Sequence, residues 1–438
     1  MIKPIVAIVG RPNVGKSTFF NKITGTKISI VKDTPGVTRD RIYCDAEWCG
    51  YSFTLVDTGG IELKSEDQMW NHIKKQAEIA IDTADVIIFM TSVKDGVTSA
   101  DMDVAEKLRK SRKPVVLVVN KLDNYKEAEL FDFYALGLGD PIGVSAEQSK
   151  GFGDCLEEVC KNFAKLPDTE ADDDVIKVAV VGKPNAGKSS LVNKLLGYDR
   201  TIVSDIGGTT RDAIDTPVEV GGQKYVIIDT AGIRKKKAVD EDIEYYSVIR
   251  ALGAVRRADV SLIVVDSEVG LTEQDVKIAG YVHEQGKPSV VVMNKWDVIE
   301  KDTNTINAFK KKLDADLAFM DYYKPVFISA KTGQRVEKTL ECARAALENA
   351  RRRITTGTLN EVVGDAVRMT EPPSKKGRRL KIYYSVQDGV CPPTFVVFVN
   401  DQELVHFSYK RYLENVLRKT FDFSGTPIRI FFRERQGD

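Results

Sequence analysis

Two stretches of this chain set two glycines, a lysine and a hydroxyl at one spacing. Gly10-Arg-Pro-Asn13-Val-Gly15-Lys16-Ser17 fits G-x-x-x-x-G-K-[ST], and Gly182-Lys-Pro-Asn185-Ala-Gly187-Lys188-Ser189 fits it again about 172 residues later. Such a loop turns backbone N–H groups towards the α- and β-phosphates of a nucleotide and sends its lysine to the β- and γ-phosphates. Its last hydroxyl goes to Mg2+, and the following helix N-terminus adds a favourable dipole. Thr18 and Ser190, next in the chain, join the nucleotide-binding set.

The residues that would read the base come later in each repeat. Asn120-Lys121-Leu-Asp123 and Asn294-Lys295-Trp-Asp297 each follow an apolar strand. A carboxylate there accepts from the ring N–H and the exocyclic amine of guanine; adenine lacks that donor pair, and an unpaired buried carboxylate is costly. Asn120 and Asn294 can tie this loop to the phosphate loop and reach the base edge. Ser145-Ala146 and Ser329-Ala330-Lys331 lie past the next strand, where a backbone N–H can meet the guanine carbonyl. Asp57-Thr-Gly-Gly60 and Asp229-Thr-Ala-Gly232 end apolar strands. Each aspartate then holds Mg2+ through water, and the Gly60 and Gly232 N–H groups sense the γ-phosphate. Any one of these residues could be a cap or turn residue; the ordered set points to GTP and GDP.

These sets resemble the motifs of Ras-like GTPases residue by residue. The resemblance puts Thr38 and Thr210 at the switch-I position, a second oxygen ligand for Mg2+, with Thr209 as the neighbouring alternative. It makes Lys16, Thr38, Gly60, Lys188, Thr210 and Gly232 the catalytic set. One departure bears on mechanism. Ras-like enzymes place a glutamine after D-x-x-G to orient the attacking water, but Ile61 and Ile233 stand here. This is similar to the hydrophobic-substituted GTPases, in some of which a potassium ion near a P-loop asparagine supplies the missing charge. Asn13 and Asn185 match that asparagine, so K+-stimulated and otherwise slow hydrolysis is expected; the alternative is that both merely shape the loop.

The elements that must position these residues alternate. Ile5–Val9, Phe53–Val56, Val86–Met90, Val115–Val119 and Ile142–Val144 are short apolar runs, separated in several places by stretches of helical length such as 67–82 and 100–109. The second repeat restates them at Val178–Val181, Tyr225–Ile228, Val260–Val265, Ser289–Met293 and Val326–Ile328. Strand and helix in alternation predict an α/β fold, two mostly parallel sheets with helices on both faces and ligands at the strand C-ends. We place the first nucleotide domain at 1–165, an acidic linker at 166–175, the second nucleotide domain at 176–352 and a smaller α+β domain of order αββαβ at 353–438. In the last, helices are expected at about 358–369 and 408–421, and strands at 380–386, 394–399 and 426–432, with a basic loop at 375–379.

Lys+Arg and Asp+Glu both number 64 over 438 residues, so the whole chain argues for no nucleic-acid coat. No apolar run approaches the roughly 20 residues of a membrane helix, and no signal peptide is read at the N-terminus; the chain is expected in the cytoplasm. The six cysteines include two pairs with four residues between them, the wrong spacing for a CxxC site, and the three histidines are scattered. Ordinary reduced thiols are expected. Residues 351–438 nevertheless carry about six more Lys/Arg than Asp/Glu, with Tyr383, Tyr384, Tyr409 and Tyr412 interspersed. A phosphate-backbone ligand would use that face; otherwise it is a solvated basic surface.

Two such nucleotide domains followed by a small αββαβ domain resemble the Der (EngA) family of bacterial ribosome-assembly GTPases over essentially the whole chain. That implies a KH-like last domain, a role in assembling the large ribosomal subunit, ribosomal RNA and proteins as partners, and a monomer. A typical KH domain clamps RNA with GXXG; no two glycines of this domain lie three apart, which favours a docking surface as the alternative. The two switch stretches also differ. Residues 61–67 are largely acidic, whereas Ile233-Arg-Lys-Lys-Lys237 is strongly basic, so the repeats look like separate inputs.

Overall fold

The computed structural model of the chain describes residues 3–25, 43–58, 77–78, 80–123, 127–163, 175–198, 215–228, 243–300, 302, 304–372, 374–375 and 378–434. They divide into two compact units, one within residues 1–171 and 239–256, the other within 172–238 and 257–438.

The strands of the first unit are Ile5–Gly10 (β1), Tyr43–Trp48 (β2), Tyr51–Asp57 (β3), Val86–Ser92 (β4), Val115–Asn120 (β5) and Ile142–Gly143 (β6). They form one sheet in the order β2-β3-β1-β4-β5-β6. All neighbours are parallel except β2, which is antiparallel to β3. β1 and β4 are buried at every residue, as their unbroken apolar runs require of strands covered on both faces. β2 is not signalled by an apolar run: it carries Asp45 and Glu47 and is mostly half-buried. The helices Lys16–Gly25 and Phe152–Phe163 share a core with one sheet face, where Phe19 and Phe152 stack at 4.7 Å beside Val6, Ile8 and Val118. Each such buried side chain contributes about 1.5–3 kcal/mol. The phosphate loop therefore spans two anchored ends, β1 and the Lys16–Gly25 helix.

The second unit repeats this plan with Val175–Val181 (β7), Thr216–Val220 (β8), Gln223–Ile228 (β9), Val260–Asp266 (β10), Ser289–Asn294 (β11) and Pro325–Phe327 (β12). The order β8-β9-β7-β10-β11-β12 is the first sheet's order over again. β7 starts at Val175, one residue inside the stretch assigned to the linker; residues 166–174 lie outside the described ones.

The same unit holds the third domain, with helices Thr356–Met369 and Phe407–Phe421. Its strands are Ser374–Lys375 (β13), Arg378–Arg379 (β14), Ile382–Gly389 (β15), Thr394–Val399 (β16) and Arg429–Glu434 (β17). The expected αββαβ order is present, and the basic loop becomes a two-residue antiparallel pair, β13 with β14. β16 pairs antiparallel with β15 and parallel with β17. Leu359, Val363 and Ala366, at helical spacing, meet Leu413, Leu417, Phe395 and Ile430 in one core. Backbone bonds join this domain to its neighbour in the unit: Ser289 N donates to Gly425 O, and Gly425 N to Tyr322 O, both at 2.8 Å. No helix among the described residues is long and apolar enough to cross a membrane.

Candidate functional site

β1 and β7 each end in a glycine-rich turn, and the helix after it begins at the loop lysine. The first-turn N–H groups of that helix have no partner within it, so they remain for an anion. Lys16 Nζ donates to Gly10 O at 2.7 Å and Arg11 O at 2.6 Å; Lys188 Nζ donates to Gly182 O and Lys183 O, both at 2.6 Å. Each ammonium is thus held over its own loop. Burial pushes the Lys16 ammonium down from 10.5 to about 8, with Asp57 pulling it up and Arg11 adding to the fall. Asn13 and Asn185 both adopt left-handed φ of 63° with exposed side chains, and Thr18 and Ser190 are exposed beside them.

Ser17 Oγ donates to Asp57 Oδ2 at 2.8 Å. A P-loop hydroxyl and a strand-tip carboxylate that converge in this way are a hard oxygen pair suited to Mg2+. The base loop and the phosphate loop share one side chain. Asn120 Nδ2 donates to Val14 O at 2.7 Å, and its Oδ1 accepts from Ala146 N at 2.9 Å. Asn294 does the same with Ala186 O and Ala330 N, each at 2.9 Å. Ser145 Oγ donates to Asp123 Oδ1 at 2.8 Å, orienting the carboxylate assigned to the base. Ser329 Oγ instead accepts from Thr332 N at 3.1 Å. Lys121 and Lys295 take left-handed φ of 66° and 61°, and Lys331 is exposed. Thr38, Gly60, Thr210 and its neighbour Thr209, Asp229 and Gly232 lie outside the described residues, as do Ile61, Ile233 and both switch stretches.

Several residues near the site carry no motif of their own. Arg11, inside the first loop, donates from Nε to Asp101 Oδ1 at 2.9 Å. Asp101 is fully buried and also closes a capping box with Thr98 at the start of the helix Ser99–Ser111. Lys183 and Asp275 form the matching tie through a backbone bond of 3.4 Å, with Thr272 as the cap. The signal was present in both repeats as Thr-x-x-Asp ahead of an amphipathic run.

Family models match most of the chain. One described as a 50S ribosome-binding GTPase matches residues 5–121 and 177–295, and one described as the KH-domain-like C-terminal domain of EngA bacterial GTPase enzymes matches residues 353–433. GTPase Der of Ruminiclostridium cellulolyticum is 59% identical over 438 residues, all of this chain and 99% of its own. GTPase Der of Alkaliphilus oremlandii is 56% identical over the full length of both. Among solved structures, Aquifex aeolicus Era aligns with 52% of this chain and 80% of its own at 24% identity and a TM-score of 0.30, too slight a likeness to carry an argument. Identity above one half, from end to end, leaves a single assignment: the chain belongs to the Der (EngA) family of GTPases.

Proposed function

We propose that the chain binds and hydrolyses GTP at two independent guanine-nucleotide sites and uses the two states as a signal in assembly of the large ribosomal subunit. The observation that carries this is the asparagine bridge, made in both repeats between a phosphate loop and a base loop. Gly10, Asn13, Gly15, Lys16, Ser17 and Thr18, with their counterparts at 182–190, would hold the phosphates. Asn120, Lys121, Asp123, Ser145 and Ala146, and in the second repeat Asn294, Lys295, Asp297, Ser329, Ala330 and Lys331, would hold the base. Mg2+ would be held by Ser17, Thr38 and Asp57, and by Ser189, Thr210 and Asp229, where it would neutralise charge on the phosphate oxygens. Lys16 and Lys188 add fixed positive charge where the transferred group gains negative charge.

With isoleucine after each D-x-x-G, no glutamine side chain orients the attacking water, and the Gly60 and Gly232 N–H groups would contact the γ-phosphate. Turnover is then slow alone and rises with K+ at Asn13 and Asn185; equal rates in sodium and potassium would remove that part of the reading. The protein acts as a cytoplasmic monomer with domains at 1–165, 176–352 and 353–438. The ribosomal part draws support from the family description as a 50S ribosome-binding GTPase. The lack of GXXG in the last domain favours a second reading, a GTPase-gated protein-docking module without direct RNA contact. Co-sedimentation with purified ribosomal subunits, in a GTP analogue against GDP, separates them. Binding to large subunits in one nucleotide state supports the assembly role, and binding in neither state rejects it.

A further inference from the structure

The two base loops share a backbone and differ in their neighbours. In the β4–β5 pair, Ser92 stands opposite Asn120; in the β10–β11 pair, Asp266 stands opposite Asn294. The strand residue facing the asparagine is thus a hydroxyl in the first repeat and a carboxylate in the second, and in the second it meets the lysine that follows. Asp266 is 4% exposed, accepts from Glu268 N at 3.0 Å and forms an ion pair with Lys295. Ser92 is fully buried, its hydroxyl has no hydrogen-bond partner among the described residues, and Lys121 forms no ion pair among them. A neutral hydroxyl cannot hold an ammonium as a carboxylate does.

A second difference points the same way. Two residues past Ser92, Lys94 places its ammonium 3.5 Å from Asp123 Oδ2, the carboxylate assigned to the base. The corresponding residue after Asp266 is Glu268. A guanine entering the first site would have to displace Lys94 from Asp123, whereas one entering the second would meet a Lys295 already paired with Asp266. Ordering a long side chain at the moment of binding subtracts from affinity.

We propose that Asp266 is a positioning residue that makes the second site the slower to release guanine nucleotide, and that Ser92 with Lys94 makes the first site the faster to exchange. The inference rests on the reading of both loops as guanine sites. The full chain is loaded with fluorescent GDP and chased with unlabelled GDP, with Lys188→Ala isolating the first site and Lys16→Ala the second. Release is expected to be slower from the second site. Asp266→Ser should speed that release about five-fold and Ser92→Asp should slow release from the first site by a similar factor, the size of one partly buried ion pair. In a Lys295→Ala background Asp266→Ser should change nothing further, and Asp266→Glu should retain slow release. Release that is unchanged by both substitutions, or an undiminished Asp266→Ser effect without Lys295, overturns the proposal. Labelled GDP that stays bound with Lys16 and Lys188 both replaced would instead overturn the site assignment beneath it.

Discussion

Asn120 donates to the carbonyl of Val14 at 2.7 Å across more than a hundred residues of chain, and that bond holds the phosphate loop and the base loop in register. Its other amide atom receives Ala146 N, so one buried side chain sets the spacing of three loops. A nucleotide bound as proposed would meet a site whose phosphate and base halves are already aligned, which lowers the ordering cost of binding. Asn294 makes the same arrangement in the second repeat.

Asn120→Ala should therefore act on affinity at one site. It leaves Val14 O and Ala146 N buried without their partner, at about 1–3 kcal/mol each. Affinity of the first site for GDP is expected to fall about a hundredfold, with the second unchanged. Asn294→Ala should reverse the pattern. Calorimetric titration that resolves the two sites measures both, and an equal loss at both sites from either change would refute the bridge as a local device.

Gly15 and Gly187 answer to the same asparagines. Their φ values are +98° and +94°, and a Cβ on either would collide with the amide nitrogen of Asn120 or Asn294. Gly15→Ala thus combines left-handed strain of roughly 1–2 kcal/mol with displacement of the bridge. Loss of nucleotide at the first site is expected while the domain stays folded. Gly50→Ala is the contrast: its φ is +82° but nothing lies within 4 Å. It should lower thermal stability slightly and leave GDP affinity alone, and a comparable affinity loss there would argue that backbone strain by itself explains Gly15.

The phosphate loops and the central strands were legible in the sequence because their signals are local. β1, β4 and β5 carry unbroken apolar runs of five residues, and a P-loop needs its residues within eight positions. β2 and β8 were not, because an edge strand with one half-open face carries Asp45, Glu47 or Glu219 and loses the apolar signature. The tie between Arg11 and Asp101 and the exchange of Ser92 for Asp266 were also hidden. Both join residues far apart in the chain whose proximity exists only once the domain is folded; Thr-x-x-Asp marked Asp101 as a helix cap but not as a partner of Arg11. The αββαβ order of the last domain was readable from its alternating helical and apolar stretches, but its bonds to Ser289 and Tyr322 were not.

The depressed Lys16 gives the first site a pH dependence. Its ammonium falls from 10.5 to about 8 because it is buried, whereas phosphate oxygens need it charged. The unfolded chain binds more protons than the folded one between those values, so the empty domain gains stability as pH rises from about 8 towards 10.5, by roughly 3 kcal/mol. Nucleotide binding runs the other way. Affinity at the first site should be level below pH 8 and decline above it, by up to about tenfold per pH unit. GDP titrations from pH 7 to 9.5 in the Lys188→Ala protein check this, and flat affinity across that range would show that Lys16 stays charged in the empty site.

His283 gives the second unit an acid limit. Its Nδ1 lies 3.0 Å from the Tyr322 hydroxyl, and the Arg418 guanidinium sits 4.9 Å from the centre of that tyrosine ring while pairing with Asp321 at 3.5 Å. Burial first, then Arg418 and Arg429, push the imidazole down from 6.5 to about 4, with Asp321 opposing. Protons therefore bind the unfolded state more readily between those values. Stability from a neutral His283 is complete above about pH 6.5 and is lost as pH falls towards 4, roughly 3 kcal/mol in all. The strain falls where the third domain is bonded to its neighbour, at the Ser289 and Gly425 amides. Hydrogen exchange of those amides, corrected for intrinsic rate, should lose up to about a hundredfold of protection between pH 7 and 4.5. His283→Phe removes the titrating group and should flatten that loss; an equally steep fall in this variant would place the acid sensitivity elsewhere, with Asp321 and its Arg418 pair the next groups to replace.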